Sequence, residues 1–292
     1  MSSPLDWKVP AALRPKPDDY SYDLEATLNS VLQISSIVPE TAFSAQTLGT
    51  ERAGNAVMIG EDGLVLTIGY LVNEADQVWL RANDGRVAQA HVLGIDNGSG
   101  FALVQAFGRL DVPAIEIGDS DVAQIGDDVV FAGGGGRQRS VAARVVARQQ
   151  FAGYWEYLVD QAIFTSPAHP NWGGSAVIGA QGQLIGLGSL QLEQQRGPGR
   201  TEHINMSVPI NLLKPELDDL KRFGKPNKPA RPWLGVYATE TDGKVIIMGI
   251  VDRGPAKRAD LRQGDVLLSV GGAPVVDLAG FYKKLWALGE AG

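Results

Sequence analysis

The chain has 292 residues, a net charge of −7, 44% hydrophobic and 20% charged residues, and no cysteine. That length fits one large or two ordinary domains, with apolar content typical of a packed globular protein. The missing cysteine excludes disulfides and thiolate metal sites, and the acidic balance leaves no broad basic face for nucleic acid. The one locally basic run, "RQRSVAARVVAR" (137–148), is β-prone and reads as a solvated strand face. No apolar run reaches the ~18 residues of a membrane span, so none is expected. The N-terminus lacks a charged-then-apolar leader, so a cytoplasmic location is expected, or a periplasmic one if Met1 is not the natural start.

In chain order, residues 1–22 carry four prolines in their first 19 positions and read as an extended or disordered arm. Residues 23–38 begin as a short helix and end as a strand. "NAVMIGEDGLVLTIGYLV" (55–72) and "QVWLRANDGRVAQAHVLGID" (77–96) each place β-prone runs around an Asp-Gly turn, a hairpin signal. About a dozen such short strands up to residue 209 predict a mainly β domain, a sandwich or a pair of barrels. "INLLKPELDDLKRFG" (210–224) has Leu212, Leu213, Leu217 and Leu220 at helical spacing, with Pro209 before and Gly224 after. "KPNKPARP" (225–232) holds three prolines and three cations, a linker composition that sets a domain boundary. Residues 233–292 then alternate short strands, a Gly-Gly turn and an amphipathic helix over 277–289. Asp277 caps that helix, Gly289 stops it, and Leu278, Phe281, Leu285 and Leu288 share one face.

Four stretches resemble the HtrA/Deg family: "IGDSDVAQIGDDVVFAGGG" (117–135), "VPINLLKPELDDLKRFGK" (208–225), "PWLGV" (232–236) and "GPAKRADLRQGDVLLSVGGAPV" (254–275). The resemblance implies a trypsin-like double β-barrel over 23–224 and a PDZ-like α+β domain over 233–292. That second domain ends, at "LWALGEAG", before the family's last strands. It also implies where a Ser-His-Asp triad would lie. In those positions stand Trp172 for the nucleophile, Tyr70 for the base and Gly100 for the orienting acid. Pro170 fills the position of the second oxyanion donor and has no N–H. Indole offers one donor and no nucleophile, and phenol is a poor base at neutral pH.

These substitutions lead to the expectation of a pseudoprotease, not an enzyme, that binds peptides or unfolded protein segments in protein quality control. One alternative is a peptidase rebuilt at Ser175 with His169 as base. Another is a structural subunit that assembles with an active paralogue. Asp96 and Asp160 are available carboxylates; His91 lies in a predicted strand, His203 precedes the barrel's last strand, and the histidines lack metal-ligand spacing. No cofactor is expected. "GGGGR" (133–137) lacks the Lys-Ser/Thr ending of a phosphate loop and reads as a turn. The resemblance places peptide C-terminus binding at Trp233, Leu234, Gly235 and Val236, by strand addition beside them. It also implies a homotrimer, with Tyr20 and Tyr22 in the region where family members pack aromatics.

Overall fold

Short alternating apolar runs, broken by Gly and Asp turns, close into two six-stranded barrels. The computed structural model describes residues 7–195, 197, 199 and 201–291. The first barrel is built from β1 (Val31–Ile37), β2 (Glu51–Met58), β3 (Leu64–Ile68), β4 (Gln77–Arg81), β5 (Val87–Ile95) and β6 (Phe101–Ala106), in the order β1-β2-β3-β6-β5-β4. It closes where β4 pairs back on β1, Ile34 opposite Leu80. The second is built from β7 (Asp128–Ala132), β8 (Ser140–Gly153), β9 (Tyr157–Ser166), β10 (Ala176–Ile178), β11 (Leu184–Gln195) and β12 (Thr201–Pro209), in the order β10-β11-β12-β9-β8-β7.

Each barrel is filled by the inward residues of its strands, as the two-residue period demands. Leu32, Ile34, Val65, Leu80 and Val104 fill the first, and Phe131, Val141, Ile163, Val177 and Ile185 the second. A third cluster is shared between the barrels and includes Val57, Leu66, Phe101, Val130, Leu187 and Val208. It joins them into one packed body, with Leu24 and Leu28 of α1 (Leu24–Leu28) sealing it. Asp23 caps α1 by accepting from Ala26 N at 3.0 Å. A short α2 (Ala45–Leu48) precedes β2.

The N-terminal arm departs from its expected looseness. From Trp7 onward it is fastened: Val9 is buried and its N–H donates to Gln138 O at 2.9 Å, while Arg14 Nε donates to Val9 O at 2.7 Å. Pro10 precedes a 3₁₀ turn over Ala11–Leu13 and Pro17 opens a second over Pro17–Asp19, so the prolines fit ordered turns rather than disorder. The helix expected over 210–224 is shorter. A 3₁₀ turn covers Ile210–Leu212, and α3 spans only Leu217–Phe223. Pro215 lies between them; it cannot donate to a preceding turn and biases Lys214 away from helix.

The chain divides into two compact units. One ends at Arg148 and resumes over Ala162–Pro226; the other joins Gln149–Gln161 to the residues from Asn227 onward. In the second unit, β13 (Val236–Thr241), β14 (Lys244–Ile250) and β15 (Val266–Leu267) form an antiparallel sheet, and β16 (Ser269–Val270) pairs with β17 (Ala273–Pro274). Its helices are α4 (Pro255–Arg258) and α5 (Leu278–Trp286). Val236, Ala238, Ile247, Phe281, Tyr282 and Leu285 form its core. α5 stops before Leu288, which is 62% exposed rather than on the buried face.

Candidate functional site

Two fully buried strand asparagines hold loop 168–175: Asn205 of β12 accepts from His169 N at 2.6 Å and donates to His169 O at 3.1 Å, and Asn55 of β2 holds the rest. Its backbone N–H donates to Gly173 O at 2.8 Å. Its Nδ2 reaches Asn171 O at 3.0 Å, Gly173 O at 3.2 Å and Ser175 Oγ at 2.9 Å, while its Oδ1 accepts from Gly134 N at 2.9 Å. One amide thus ties the loop to the Gly-rich turn after β7. That turn is no phosphate cradle: a Cβ on Gly134 would lie 2.5 Å from Leu32 C. The glycine lets two backbones touch.

Trp172 and Tyr70 meet. The indole N–H donates to the Tyr70 hydroxyl, which in turn donates to Ser189 O at 2.8 Å. Burial raises the Tyr70 pKa, against the lowering effect of the Trp172 bond, so the side chain stays a neutral phenol. Arg52 fixes the backbone beneath it, donating from Nη1 to Tyr70 O at 2.9 Å and Asn73 O at 3.0 Å. Gly100 adopts φ +85°, and its carbonyl accepts from Gly69 N at 2.7 Å. It therefore reaches the Tyr70 turn through backbone alone. Pro170 is exposed at the start of the loop.

Ser175 and His169 are not brought together as a nucleophile and base. Ser175 Oγ donates to Asn171 O at 2.8 Å and accepts from Asn55. His169 is fully buried, with Nδ1 accepting from Asn171 N at 3.1 Å and Nε2 2.8 Å from Arg139 O. The first bond leaves Nδ1 without a proton, so Nε2–H is the donor to Arg139. Burial lowers the His169 pKa, the backbone hydrogen bonds at Arg139 and Asn171 opposing it. Asp96 orders its own turn, accepting from Gly98 N, Ser99 N and Ser99 Oγ. His91 stacks on Phe107 and His203 sits outward on β12. Among the described residues no His, Asp and Glu group has the arrangement of a metal site. Tyr20 and Tyr22 lie side by side, partly buried against the shared core.

In the second unit the N–H groups of three consecutive residues converge on one carboxylate. Gly235 N donates to Glu156 Oε1 at 2.7 Å, Val236 N to Oε1 at 3.0 Å, and Leu234 N to Oε2 at 3.1 Å. Gly235 takes φ +76°, which turns these donors the same way. The cradle is braced by Ala256 N donating to Leu234 O and Val251 N to Gly235 O, each at 2.8 Å. Trp233 is 44% exposed at its rim. Asp160 accepts from Gln150 Nε2 at 2.6 Å and pairs with Lys283. Neither Asn55, Arg52 nor Glu156 stands out in the sequence. Only the Glu inside the aromatic run "YWEY" gives a local signal.

Comparison with known proteins agrees with this architecture. Residues 54–187 match the family described as trypsin-like peptidase domain, and residues 232–291 match PDZ domain. The probable periplasmic serine endoprotease DegP-like of Pseudomonas fulva is 26% identical over 239 residues, covering 77% of this chain and 48% of that protein. The periplasmic serine endoprotease DegP of Escherichia coli K12 is 26% identical over 241 residues, covering 77% of this chain and 50% of that protein. The chain thus spans about half the length of the curated relatives it matches. The solved HtrA-type protease AlgW with decapeptide superposes with a TM-score of 0.54 at 20% identity, covering 90% of this chain and 89% of that one. Two expectations are overturned by these relatives. The chain was expected not to be an enzyme, yet the proteins it resembles are named serine endoproteases, which points to one. It was expected to be cytoplasmic, yet the same proteins are named periplasmic. The two matches give a trypsin-like peptidase domain followed by a PDZ domain, the same pairing of domains in which the chain is similar to DegP-like and HtrA-type proteases.

Proposed function

We propose that this chain handles polypeptides, and that its PDZ unit binds their C-termini at Trp233, Leu234, Gly235 and Val236. The observation that carries this reading is the cradle itself. Three consecutive backbone N–H groups aimed at one carboxylate form a site for a peptide's terminal carboxyl group, and strand β13 beside it offers an edge for strand addition. Such charge-assisted bonds are the strong ones, so affinity should depend on the free carboxylate. The test is an array of peptides attached through their N-termini, probed with the full chain. Peptides with free carboxyl ends retain it and their amides do not; equal retention of both overturns the reading.

A second reading, endoproteolysis, is favoured by the names of the relatives. We read Tyr70, Gly100 and Trp172 as substitutions at the triad positions, and Pro170 as the substitution at the oxyanion position. The Trp172–Tyr70 hydrogen bond and the Gly69–Gly100 backbone bond support that assignment. Peptide bond cleavage would then rest on groups other than these four. Fluorogenic casein, followed with the purified chain, separates the two readings. A periplasmic location is proposed from the relatives' names, and fractionation of the native host checks it. A trimer is proposed from resemblance, and light scattering at a single monomer mass refutes it.

A further inference from the structure

We infer that Gln149–Gln161 is a built-in ligand of the PDZ unit, with the Glu156 side chain standing in for a peptide's terminal carboxylate. The inference rests on the peptide-binding reading and adds its regulation: an incoming C-terminus must displace a segment of the same chain.

Three contacts place the segment as a bound peptide would lie. At one end Gln150 and Ala152 line a groove with Thr239, Glu240, Asp277 and Leu278. In the middle Ala238 N donates to Tyr154 O at 2.8 Å. At the other end the Glu156 carboxylate takes the N–H groups of Leu234, Gly235 and Val236. As the segment advances from 150 to 156, its neighbours step back from 240 in β13 to 234, just before that strand. It therefore runs antiparallel to β13, in the mode of strand addition, and terminates in a carboxylate.

The opposite wall is α5. Tyr282, fully buried, donates from its hydroxyl to Gly153 O at 2.7 Å and accepts from Glu156 N at 3.2 Å. Ala152 and Leu158 pack on the unit's core, and Tyr154 leans on Tyr237 with ring centroids 5.8 Å apart. Glu156 itself is only 6% exposed and holds φ +60°. A non-glycine residue occupies that region only where its surroundings hold it there. A buried carboxylate with three backbone donors supplies that hold.

The consequence is competitive. A free C-terminus sees only the fraction of molecules whose segment has left the cradle, so its apparent dissociation constant is the intrinsic value divided by that fraction. Removing the Glu156 carboxylate should raise the fraction and tighten binding.

The test uses the full chain, Glu156→Ala and Glu156→Gln, with a fluorescein-labelled peptide copying residues 149–155 (Gln-Gln-Phe-Ala-Gly-Tyr-Trp), as free acid and as C-terminal amide. Fluorescence anisotropy reads the affinity, and hydrogen exchange without peptide reads protection across 234–238. The expected result is binding of the acid about tenfold or more tighter to Glu156→Ala than to the natural chain. Glu156→Gln should fall between, and the amide should bind none of them. Exchange across 234–238 should be faster in both variants. Glu156→Gln keeps the side-chain shape and carries the test if Glu156→Ala fails to fold. Equal affinity of the natural chain and the variants for the acid overturns the inference and leaves the peptide-binding reading standing. No binding of the acid to any of the three overturns that reading, and the inference with it.

Discussion

Asn55→Ala should destabilise the two-barrel unit by about 3 kcal/mol. The substitution strips Gly134 N–H of its acceptor inside the protein. A buried donor left without a partner costs about 1–3 kcal/mol. It also removes the Nδ2 bonds to Asn171 O and Ser175 Oγ, each worth about 0.5–1.5 kcal/mol. Other losses are cushioned: Gly173 O keeps the Asn55 backbone N–H, and Asn171 O keeps the Ser175 hydroxyl. The terms sum to about 2–6 kcal/mol, and because bonds in one network do not add fully the expectation lies in the lower half of that range, at about 3 kcal/mol. For a unit of this size, each kcal/mol moves the midpoint by about 2–4 °C, so a fall of about 6–12 °C is predicted. Differential scanning calorimetry of the full chain, following the barrel transition, measures it. Asn55→Asp gives the control. It keeps an acceptor for Gly134 but sets a carboxylate oxygen against the carbonyls of Asn171 and Gly173, so it should be no milder than alanine. A shift under about 2 °C for Asn55→Ala would refute the claim that this side chain organises the loop.

Other expectations follow from the same contacts. Tyr70→Phe leaves the Trp172 indole N–H and Ser189 O without their partner and should cost about 1–3 kcal/mol by chemical denaturation, whereas Trp172→Phe should cost less. A double-mutant cycle between them should return a coupling of about 1 kcal/mol, and zero coupling would contradict the bond. Ser175→Ala should leave any measured casein cleavage unchanged, because the hydroxyl is committed to Asn171 O and Asn55; loss of cleavage would restore Ser175 as a nucleophile. His169 has a folded pKa below its unfolded value of about 6.5, because burial disfavours its charged form. Its contribution to stability is complete above about 6.5 and declines as pH falls from there toward the folded value. His169→Gln should flatten that decline between about pH 7.5 and 5, and an unchanged slope would count against a neutral buried imidazole.

Strand content was legible from period and punctuation. "GEDGL" and "ANDGR" mark the β2–β3 and β4–β5 turns, and inward positions of β1 alternate as written. Three features were not legible, each for a tertiary reason. Asn55 looks like any polar residue in a strand until the fold brings Gly134 and the 171–175 backbone around it. Leu212 and Leu213 sit at helical spacing with Leu217 and Leu220, but one proline at 215 outweighs four well-placed leucines. The N-terminal arm has a disordered composition, yet Trp7 stacks edge-on against His169 at 5.3 Å and Val9 pairs with the backbone of Gln138. A few anchored apolar residues suffice to order a proline-rich segment whose remaining side chains face solvent.

The loop "AHPNWGGSAV" shows how a motif frame and its chemistry come apart. A Cβ on Gly174, at φ +73°, would lie 1.8 Å from Asn55 O, and one on Gly173 would lie 2.7 Å from the Tyr70 hydroxyl. Both glycines are demanded by the approach of this loop to β2 and to the Tyr70 turn, whatever residue stands at 172. Gly174→Ala should accordingly abolish folding of the barrels. The glycine pair therefore reports a backbone path and carries no information about a nucleophile. Convergence of several groups on one point is what carries functional information. In this chain the donors of Leu234, Gly235 and Val236 make that convergence, on a carboxylate that the chain itself supplies.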